Sequence, residues 1–307
     1  MLLASVCLVV NASQPTTKNS QLKSALVKPK PIGVQLAKFK PAYTQMISVK
    51  ANAKETKQYQ SYQRKKAQIA IIIDDIGNKR ADAEAFALPE KVTFSILPHT
   101  RFSKQFSTFS HHQGREVMLH MPMESLHGEA LGDGGLLASM YPEQIESALM
   151  LALESVPHAI GVNNHMGSKL TQITLQMNAV MEVLVNNNLY FVDSRTTKFT
   201  KAHHIAQQHG VASGQRHVFL DHQANEAFLD KQFEQLIRKA RRNGSVIGIA
   251  HPHRVSIEFL KRKLAELPHD IELITVSEYL SIDQYYDTQQ PRLANESPAQ
   301  LNDTAPK

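Results

Sequence analysis

A buried strand that ends in two carboxylates is the strongest constraint in this sequence. The segment Ile69-Ala-Ile-Ile-Ile-Asp-Asp-Ile-Gly77 places five consecutive apolar residues before Asp74 and Asp75. An unbroken apolar run indicates a parallel strand that is covered on both faces. The carboxyl ends of such strands are where α/β barrels and open α/β sheets bind ligands. We therefore expect a functional site at this pair, with an N-terminal cap for a helix near residues 79–88 as the alternative role of Asp75.

From Gln68 onward, short apolar runs alternate with amphipathic stretches of helical length. This pattern predicts an α/β fold of seven or eight βα units. The predicted strands are residues 68–73, 92–97, 116–119, 160–162, 189–192, 218–220, 245–250 and 271–275. The predicted helices are residues 142–156, 171–187, 225–242 and 256–264, with Thr171 capping the second.

Charge and hydropathy divide the chain into four parts. Residues 1–14 resemble a secretory signal, because the apolar run 2–10 is too short to span a bilayer and precedes Asn11-Ala-Ser13. Residues 15–66 are a basic stretch that we expect to be a disordered linker. We expect residues 67–281 to form a barrel of the predicted βα units. Residues 282–307 are a polar tail that we expect to be disordered. We expect export to the periplasm or the exterior, with a plain apolar tail as the alternative, because the basic residues that begin a secretory signal are missing.

The basic charge belongs mainly to the N-terminal part. Residues 1–66 carry twelve Lys or Arg and one Glu, whereas the remainder carries 22 basic and 27 acidic residues. This distribution argues against a nucleic-acid-binding face and favours contact between the linker and an anionic surface. The single cysteine, Cys7, lies in the signal-like run. Disulfides, thiolate metal sites and cysteine nucleophiles are therefore excluded from the exported chain.

Three histidines share the strand-end position of the aspartates. His120, His165 and His251 each follow directly on a strand-like run, whereas other histidines lie on helical or loop stretches, namely His111, His112, His203, His204 and His209. With Asp75, His120 and His165 would form a three-ligand metal site that leaves one position for water. A divalent metal, with zinc expected, suits this set. Asp74 would then accept the water's proton and His251 would act as general acid; packed core or loop histidines are the alternative.

Neighbouring residues extend this predicted site. Glu124, four residues after His120, is an alternative metal ligand to His165. Arg195 is expected to orient or neutralise Asp74, because a nearby cation keeps a carboxylate ionised. We expect Asn164, Met121 and Asp193 to contact the substrate, since they flank the strand-end residues.

These motifs, in this order, resemble the divergent polysaccharide deacetylases, a bacterial branch of the NodB-homology carbohydrate esterases. The segment Ile72-Ile-Asp-Asp-Ile-Gly77 resembles the first family motif, in which the first Asp is the catalytic base and the second a metal ligand. The segment Gly114-Arg-Glu-Val-Met-Leu-His-Met-Pro-Met-Glu124 resembles the second, in which a histidine and another four residues later bind the metal. Here Glu124 stands at the later position.

Three further segments extend the resemblance across residues 68–280. Gly161-Val-Asn-Asn-His-Met-Gly-Ser168 resembles the signature of the divergent branch and stands where other members carry an Arg-Pro segment. It suggests that His165 replaces the missing metal histidine. Phe191-Val-Asp-Ser-Arg-Thr196 stands in place of the fourth motif, and Ile249-Ala-His251 is similar to the fifth, which supplies the acid histidine.

The resemblance implies a distorted (β/α)7–8 barrel and a specific chemistry. It suggests an exported, metal-dependent hydrolase that removes N- or O-acetyl groups from a cell-envelope glycan. A catalytically silent carbohydrate-binding or envelope-assembly protein on the same fold is the first alternative. A metal-dependent phosphoesterase or amidase is the second, because it would use similar ligands.

Overall fold

The computed structural model describes residues 66–281. The predicted signal-like segment (1–14), all of the predicted linker (15–66) except Lys66, and the predicted tail (282–307) lie outside the described residues. Within residues 66–281, no helix combines the length and the hydrophobicity that a bilayer-spanning segment needs.

Parallel strands and intervening helices make up the described part of the chain. The strands are β1 (Ala67–Ile76), β2 (Thr93–Ile96), β3 (Val117–Met123), β4 (Ala159–Met166), β5 (Tyr190–Asp193), β6 (Ser213–Gln215), β7 (Val218–Phe219), β8 (Ser245–Ala250) and β9 (Ile271–Ile274). The α-helices are α1 (Ser103–His112), α2 (Pro142–Ser155), α3 (Thr174–Asn186), α4 (Ala202–Gln208), α5 (Glu226–Asn243), α6 (Arg254–Ala265) and α7 (Val276–Leu280). Two 3₁₀ helices, Arg80–Ala87 and Leu170–Gln172, precede β2 and α3.

The strands form one curled parallel sheet with β1 near its centre. The strand order is β6-β5-β4-β3-β2-β1-β8-β7. The ninth strand, β9, shares one edge of β1 with β2: β9 pairs with the first half of β1 and β2 with the second half. β6 pairs with β5 at one end of this order, and β7 pairs with β8 at the other end. Only two residues separate β6 from β7, so the two ends of the order approach each other. The predicted α/β fold, a distorted barrel of βα units, is confirmed.

Side chains alternate between the inside of the curled sheet and its helix-covered outside. On β1, Ala70 and Ile72 belong to the inner cluster, whereas Ile69, Ile71 and Ile73 belong to the outer one. The inner cluster also contains Met118, Tyr190, Val192, Ile247, Ile249, Ile274 and Val276. All five residues from Ile69 to Ile73 are completely buried, as expected for a strand covered on both faces.

A buried carboxylate organises the amino end of the barrel. Glu116, directly before β3, accepts hydrogen bonds from the Tyr190 hydroxyl (2.8 Å) and from the backbone N–H groups of Val276 and Ser277. Burial, with the Glu116 charge, raises the pKa of Tyr190 well above its ordinary value. Gly161 makes room for this ring, since a Cβ there would lie 2.2 Å from Tyr190 Cε2.

The predicted elements correspond closely to those observed. Each predicted strand has a counterpart, while β6 and the short helices α1, α4 and α7 were not predicted. The predicted cap at Thr171 is wrong, because α3 begins at Thr174 and the Thr171 hydroxyl donates to the Gly167 carbonyl. At the start of the first 3₁₀ helix, Asp82 in the first turn accepts hydrogen bonds from the backbone N–H groups of Gly77 and Lys79. Asp75 is therefore not the cap of this helix.

Candidate metal centre and active site

An irregularity at the end of β1 aims both aspartates at one site. Adjacent residues of a regular strand point to opposite faces. Between Ile73 and Ile76 the pairing with β2 shifts register, and Asp75 adopts a left-handed φ of 60°. Bulges of this kind re-aim side chains next to active sites. As a result, the carboxylates of Asp74 and Asp75 both lie within 4 Å of the His120 imidazole, at 3.8 and 3.1 Å.

Asp75, His120 and His165 converge on a small volume. Asp75 Oδ1 lies 3.1 Å from His120 Nε2 and 2.9 Å from His165 Nδ1, and these two nitrogens are 3.2 Å apart. Burial alone would raise the pKa of the Asp75 carboxyl, but His120 and His165 hold it well below its usual range. Burial disfavours the charged form of His120, but Asp74 and Asp75 outweigh it and raise the pKa of His120.

This trio fits a divalent cation. Asp75 Oδ1 is buried and has no hydrogen bond of acceptable geometry, although two imidazole nitrogens lie close to it. Buried carboxylate oxygens without a partner are rare and call for an explanation. One carboxylate oxygen and two imidazole nitrogens, all within 4.8 Å of one another, form the donor set that zinc uses in catalytic sites with an open position.

Asn163 connects the second aspartate to this trio. Its Nδ2 donates to Asp74 Oδ1 at 2.8 Å, and its Oδ1 lies 2.7 Å from His120 Nδ1. The Ser95 hydroxyl also donates to Asn163 Oδ1, at 2.5 Å. Asp74 is 3% exposed and Asn163 is completely buried. The amide therefore bonds both the proposed base and a proposed metal ligand.

His251 faces the cluster from β8 and is held by an aspartate. Asp221, which follows β7, accepts from His251 Nδ1 (3.0 Å), from the His251 backbone N–H (2.7 Å) and from the Ser256 hydroxyl (2.8 Å). His251 Nε2 lies 3.9 Å from Asp75 Oδ2. Burial opposes the charged imidazole, but Asp221, with help from Asp74 and Asp75, raises the pKa of His251 to about 9. His251 is thus protonated at neutral pH, as a general acid requires.

Arg195, which follows β5, and Arg216, which follows β6, have different surroundings. Arg195 is exposed and its guanidinium donates to Gln215 Oε1. Arg216 donates instead to the carbonyls of Ser194 and Arg195. Burial lowers the pKa of Arg216 and the Asp74 charge opposes this shift. The Asp74 charge therefore acts on Arg216, whereas the guanidinium of Arg195 is bonded to Gln215.

Glu124 does not join the metal cluster. Its Oε1 accepts from Lys169 Nζ at 2.5 Å and its Oε2 from the backbone N–H of Ala138 at 2.6 Å. Among residues 66–281, Asp75, His120 and His165 form the one group of three or more such side chains arranged for a metal ion. The geometry thus brings His165 to the trio and leaves Glu124 in an ion pair.

The structure does not bring Asn164, Met121 or Asp193 to the cleft. Met121 packs in the outer core, one residue out of phase with the inward-facing His120. Asn164 is buried, accepting from the Ser194 N–H and donating to the Met166 carbonyl. Asp193 accepts from the Arg195 N–H and the Thr200 hydroxyl. Each residue takes the outward position of its strand, where it supports backbone or packing.

A cleft of about 460 Å³ opens beside the trio and includes Asp75 and His165 in its wall. Gly132 and Asp133 also line it, so the glycine-rich loop after β3 borders the site. Four of the seven non-glycine residues with positive φ in residues 66–281 lie at this edge of the sheet: Asp75, His99, Met166 and Arg195. Such backbone strain concentrates at functional sites.

Three polar residues of the site were not among the sequence-based candidates. Asn163 could have been recognised because it alternates with His165 and therefore shares its inward face. Asp221 has the same strand-end position as the chosen residues. Arg216 has no such signal, because only the passage of the chain from β5 to β8 brings it near Asp74.

Comparisons with known proteins place this chain among related sequences. Residues 71–280 match the protein family described as divergent polysaccharide deacetylase. The chain is 39% identical over 224 residues to the uncharacterized protein YibQ of Escherichia coli (strain K12), covering 73% of this chain and 70% of YibQ. It is 37% identical over 217 residues to an uncharacterized protein of Haemophilus influenzae, covering 70% of this chain and 78% of that protein.

One solved structure has a similar fold. The uncharacterized protein ATU2773 from Agrobacterium tumefaciens C58 superimposes with a TM-score of 0.67 at 24% sequence identity. The match covers 71% of this chain and 90% of that one.

Proposed function

The chain belongs to the divergent polysaccharide deacetylase family, and from this premise we propose that it is an exported, metal-dependent hydrolase that removes acetyl groups from a cell-envelope glycan. The observation that carries the proposal is the meeting of Asp74, the Asp75–His120–His165 trio and His251 at one edge of the sheet. These side chains come from β1, β3 and β4 and from the residue that follows β8. Together they supply the charges and protons that hydrolysis of an acetamide or acetyl ester requires.

Each residue has a separate task in this proposal. Asp75, His120 and His165 hold a divalent cation, with zinc the best fit to the donor set. When bound, such a cation polarises the carbonyl oxygen of the scissile group. Asp74 Oδ1, held by Asn163, accepts a proton from the attacking water. His251 Nε2, protonated through its contact with Asp221, donates a proton to the leaving amine or alcohol.

The proposed substrate and location are supported by the family and by the sequence of residues 1–66. The cleft beside Asp75 can admit a sugar unit with its acyl group. The signal-like segment 1–14 supports export, and the basic residues up to position 66 support contact with an anionic envelope surface. The substrate is therefore proposed to be an acetylated glycan outside the cytoplasm.

The decisive experiment measures bound zinc and released acetate on the same protein samples. Metal content is determined after purification, and acetate release is followed with N- and O-acetylated glycan fragments. Asp74→Asn should retain zinc and lose at least about 100-fold in kcat, because it removes only the base. His120→Ala should lose both zinc and activity. Arg238→Ala, at an exposed residue of α5 that forms an ion pair with Glu234, is the control and should retain both.

Two results would contradict the proposal. Zinc binding with no acetate release from any fragment would instead favour the silent glycan-binding alternative, which a direct measurement of fragment binding would then test. Phosphate release from phosphomonoesters, without acetate release, would favour a phosphoesterase on the same ligand set.

A further inference from the structure

We infer that Asn163 is a positioning residue that couples the metal ligand His120 to the base Asp74. Asn163 holds His120 in its metal-binding tautomer and Asp74 in its proton-accepting orientation. The kinetic part of this inference rests on the proposed activity and the zinc-affinity part on the proposed metal site, whereas the His120 tautomer can be measured without either. Asn163 lies directly opposite His120 in the pairing of β3 with β4, and its amide is completely buried between the two groups.

The assignment of the amide oxygen and nitrogen follows from its neighbours. The nearest atom on one side is Asp74 Oδ1 at 2.8 Å, and a carboxylate oxygen only accepts. The group that faces it must therefore be the NH₂. The oxygen then faces the Ser95 hydroxyl and His120 Nδ1, at 2.5 and 2.7 Å. In this orientation all three contacts pair a donor with an acceptor.

This orientation determines which nitrogen of His120 carries the proton. Because Asn163 Oδ1 has no hydrogen, His120 Nδ1 must donate, and Nε2 of the neutral ring keeps its lone pair. Nε2 is the atom that lies 3.1 Å from Asp75 Oδ1 and 3.2 Å from His165 Nδ1. Metal-binding histidines are commonly oriented in this way through their second nitrogen.

The same amide restrains Asp74. The carboxylate is almost fully buried, and the side-chain hydrogen bond it receives comes from Asn163 Nδ2. His120 Nδ1 is too distant for a hydrogen bond to Asp74, at 3.8 Å. Without the amide, Asp74 would be free to rotate away from the substrate or towards His120. One side chain thus serves both halves of the catalytic machinery.

Two variants separate these two tasks. Asn163→Ala removes both contacts and should lower zinc affinity by about 10- to 100-fold, with a similar loss in kcat at saturating zinc. Asn163→Asp keeps an oxygen for His120 but places a carboxylate oxygen against Asp74, which repels that carboxylate. It should restore zinc affinity to within about tenfold of the unchanged protein, while kcat stays at least about 100-fold low.

Zinc affinity is measured by competition with a chromophoric chelator. The His120 tautomer is measured by imidazole nitrogen chemical shifts in the zinc-free protein, at a pH above the raised pKa of His120, where the ring is neutral. The matched control is Asn178→Ala. Asn178 Oδ1 lies 3.1 Å from His209 Nε2, so it makes an Asn–His contact outside the site. This variant should change neither zinc affinity nor the His120 shifts. Urea unfolding of each variant confirms that the comparison is made on folded protein.

The outcomes distinguish this inference from the proposed function. If Asn163→Ala binds zinc as tightly as the unchanged protein and leaves the His120 shifts unaltered, the coupling is refuted. If Asn163→Asp fails to restore zinc affinity, the tautomer argument is refuted. If the unchanged protein releases no acetate, the proposed function fails, but the zinc and chemical-shift measurements still decide whether Asn163 positions His120.

Discussion

Replacing Asp221 with asparagine should destabilise the protein in a pH-dependent way. Asp221 accepts three hydrogen bonds, two from His251 and one from Ser256. The amide side chain of the variant would keep one acceptor oxygen but present an NH₂ group where the second oxygen was. Part of the loss is therefore independent of pH, because the contacts of that second oxygen are disrupted at any pH. The remaining part depends on the charge of His251.

The size of the pH-dependent part follows from the pKa of His251. Folding raises that pKa from its ordinary 6.5 to about 9. The associated stabilisation is complete below the unfolded-state pKa and is lost as the pH rises through the folded-state pKa of about 9. At 1.36 kcal/mol per unit, the shift corresponds to roughly 3 kcal/mol. This figure is the net of opposing effects, because burial lowers the pKa of His251 while Asp221, Asp74 and Asp75 raise it, so it gives only the order of magnitude for Asp221.

The assay is urea unfolding of zinc-free protein at about pH 6 and about pH 10. Asp221→Asn should cost on the order of 3 kcal/mol more at the lower pH than at the higher one. His120 also has a raised pKa, but both proteins retain it, so its contribution cancels to first order. In a His251→Asn background, Asp221→Asn should show no such pH dependence.

Either of two results would refute this reasoning. The first is an equal loss of stability at both pH values. The second is an NMR titration in which His251 of the unchanged, zinc-free protein titrates near the ordinary histidine value. In either case Asp221 would act through packing and neutral hydrogen bonds alone.

Three further predictions concern packing, the ligand set and the amino end of the barrel. Gly161→Ala should destabilise the fold by at least about 1–3 kcal/mol in urea unfolding, because its Cβ would overlap the Tyr190 ring; unchanged stability would contradict the packing described. His165→Ala should lose zinc in a chelator competition and Glu124→Gln should not; the reverse result would place Glu124 in the ligand set. Glu116→Gln should lower the free energy of unfolding by about 1–3 kcal/mol with zinc affinity intact, since it weakens buried hydrogen bonds far from the site; a loss of zinc would disprove that separation.

Much of the fold could be predicted because its signals are local. The apolar run before Asp74 indicated a strand buried on both faces, and repeated strand and helix patterns indicated βα units. β6 and β7 together span few residues, so periodicity is a weak signal for them. Their place depends on partners from β5 and β8, which are distant in sequence.

The site was predictable in residue type but not in the direction of each side chain. His120, His165 and His251 were selected by their strand-end positions, and the structure brings them together with both aspartates. Met121 and Asn164 were selected by the same rule, yet they point outward because side chains alternate along a strand. A strand-end rule without this alternation cannot separate residues that face the site from those that support it.

The sequence alone determined the strand that ends in Asp74 and Asp75 and the histidines at neighbouring strand ends, because hydrophobic periodicity depends on nearby residues only. The tertiary structure decided which of these groups meet. The bulge and the left-handed backbone at Asp75 turn two adjacent carboxylates towards one imidazole. The pairing of β3 with β4 sets Asn163 against His120, and the turn from β6 to β7 brings Arg216 into the field of Asp74. These relations depend on strand register and curvature, which are set by contacts between residues far apart in the chain.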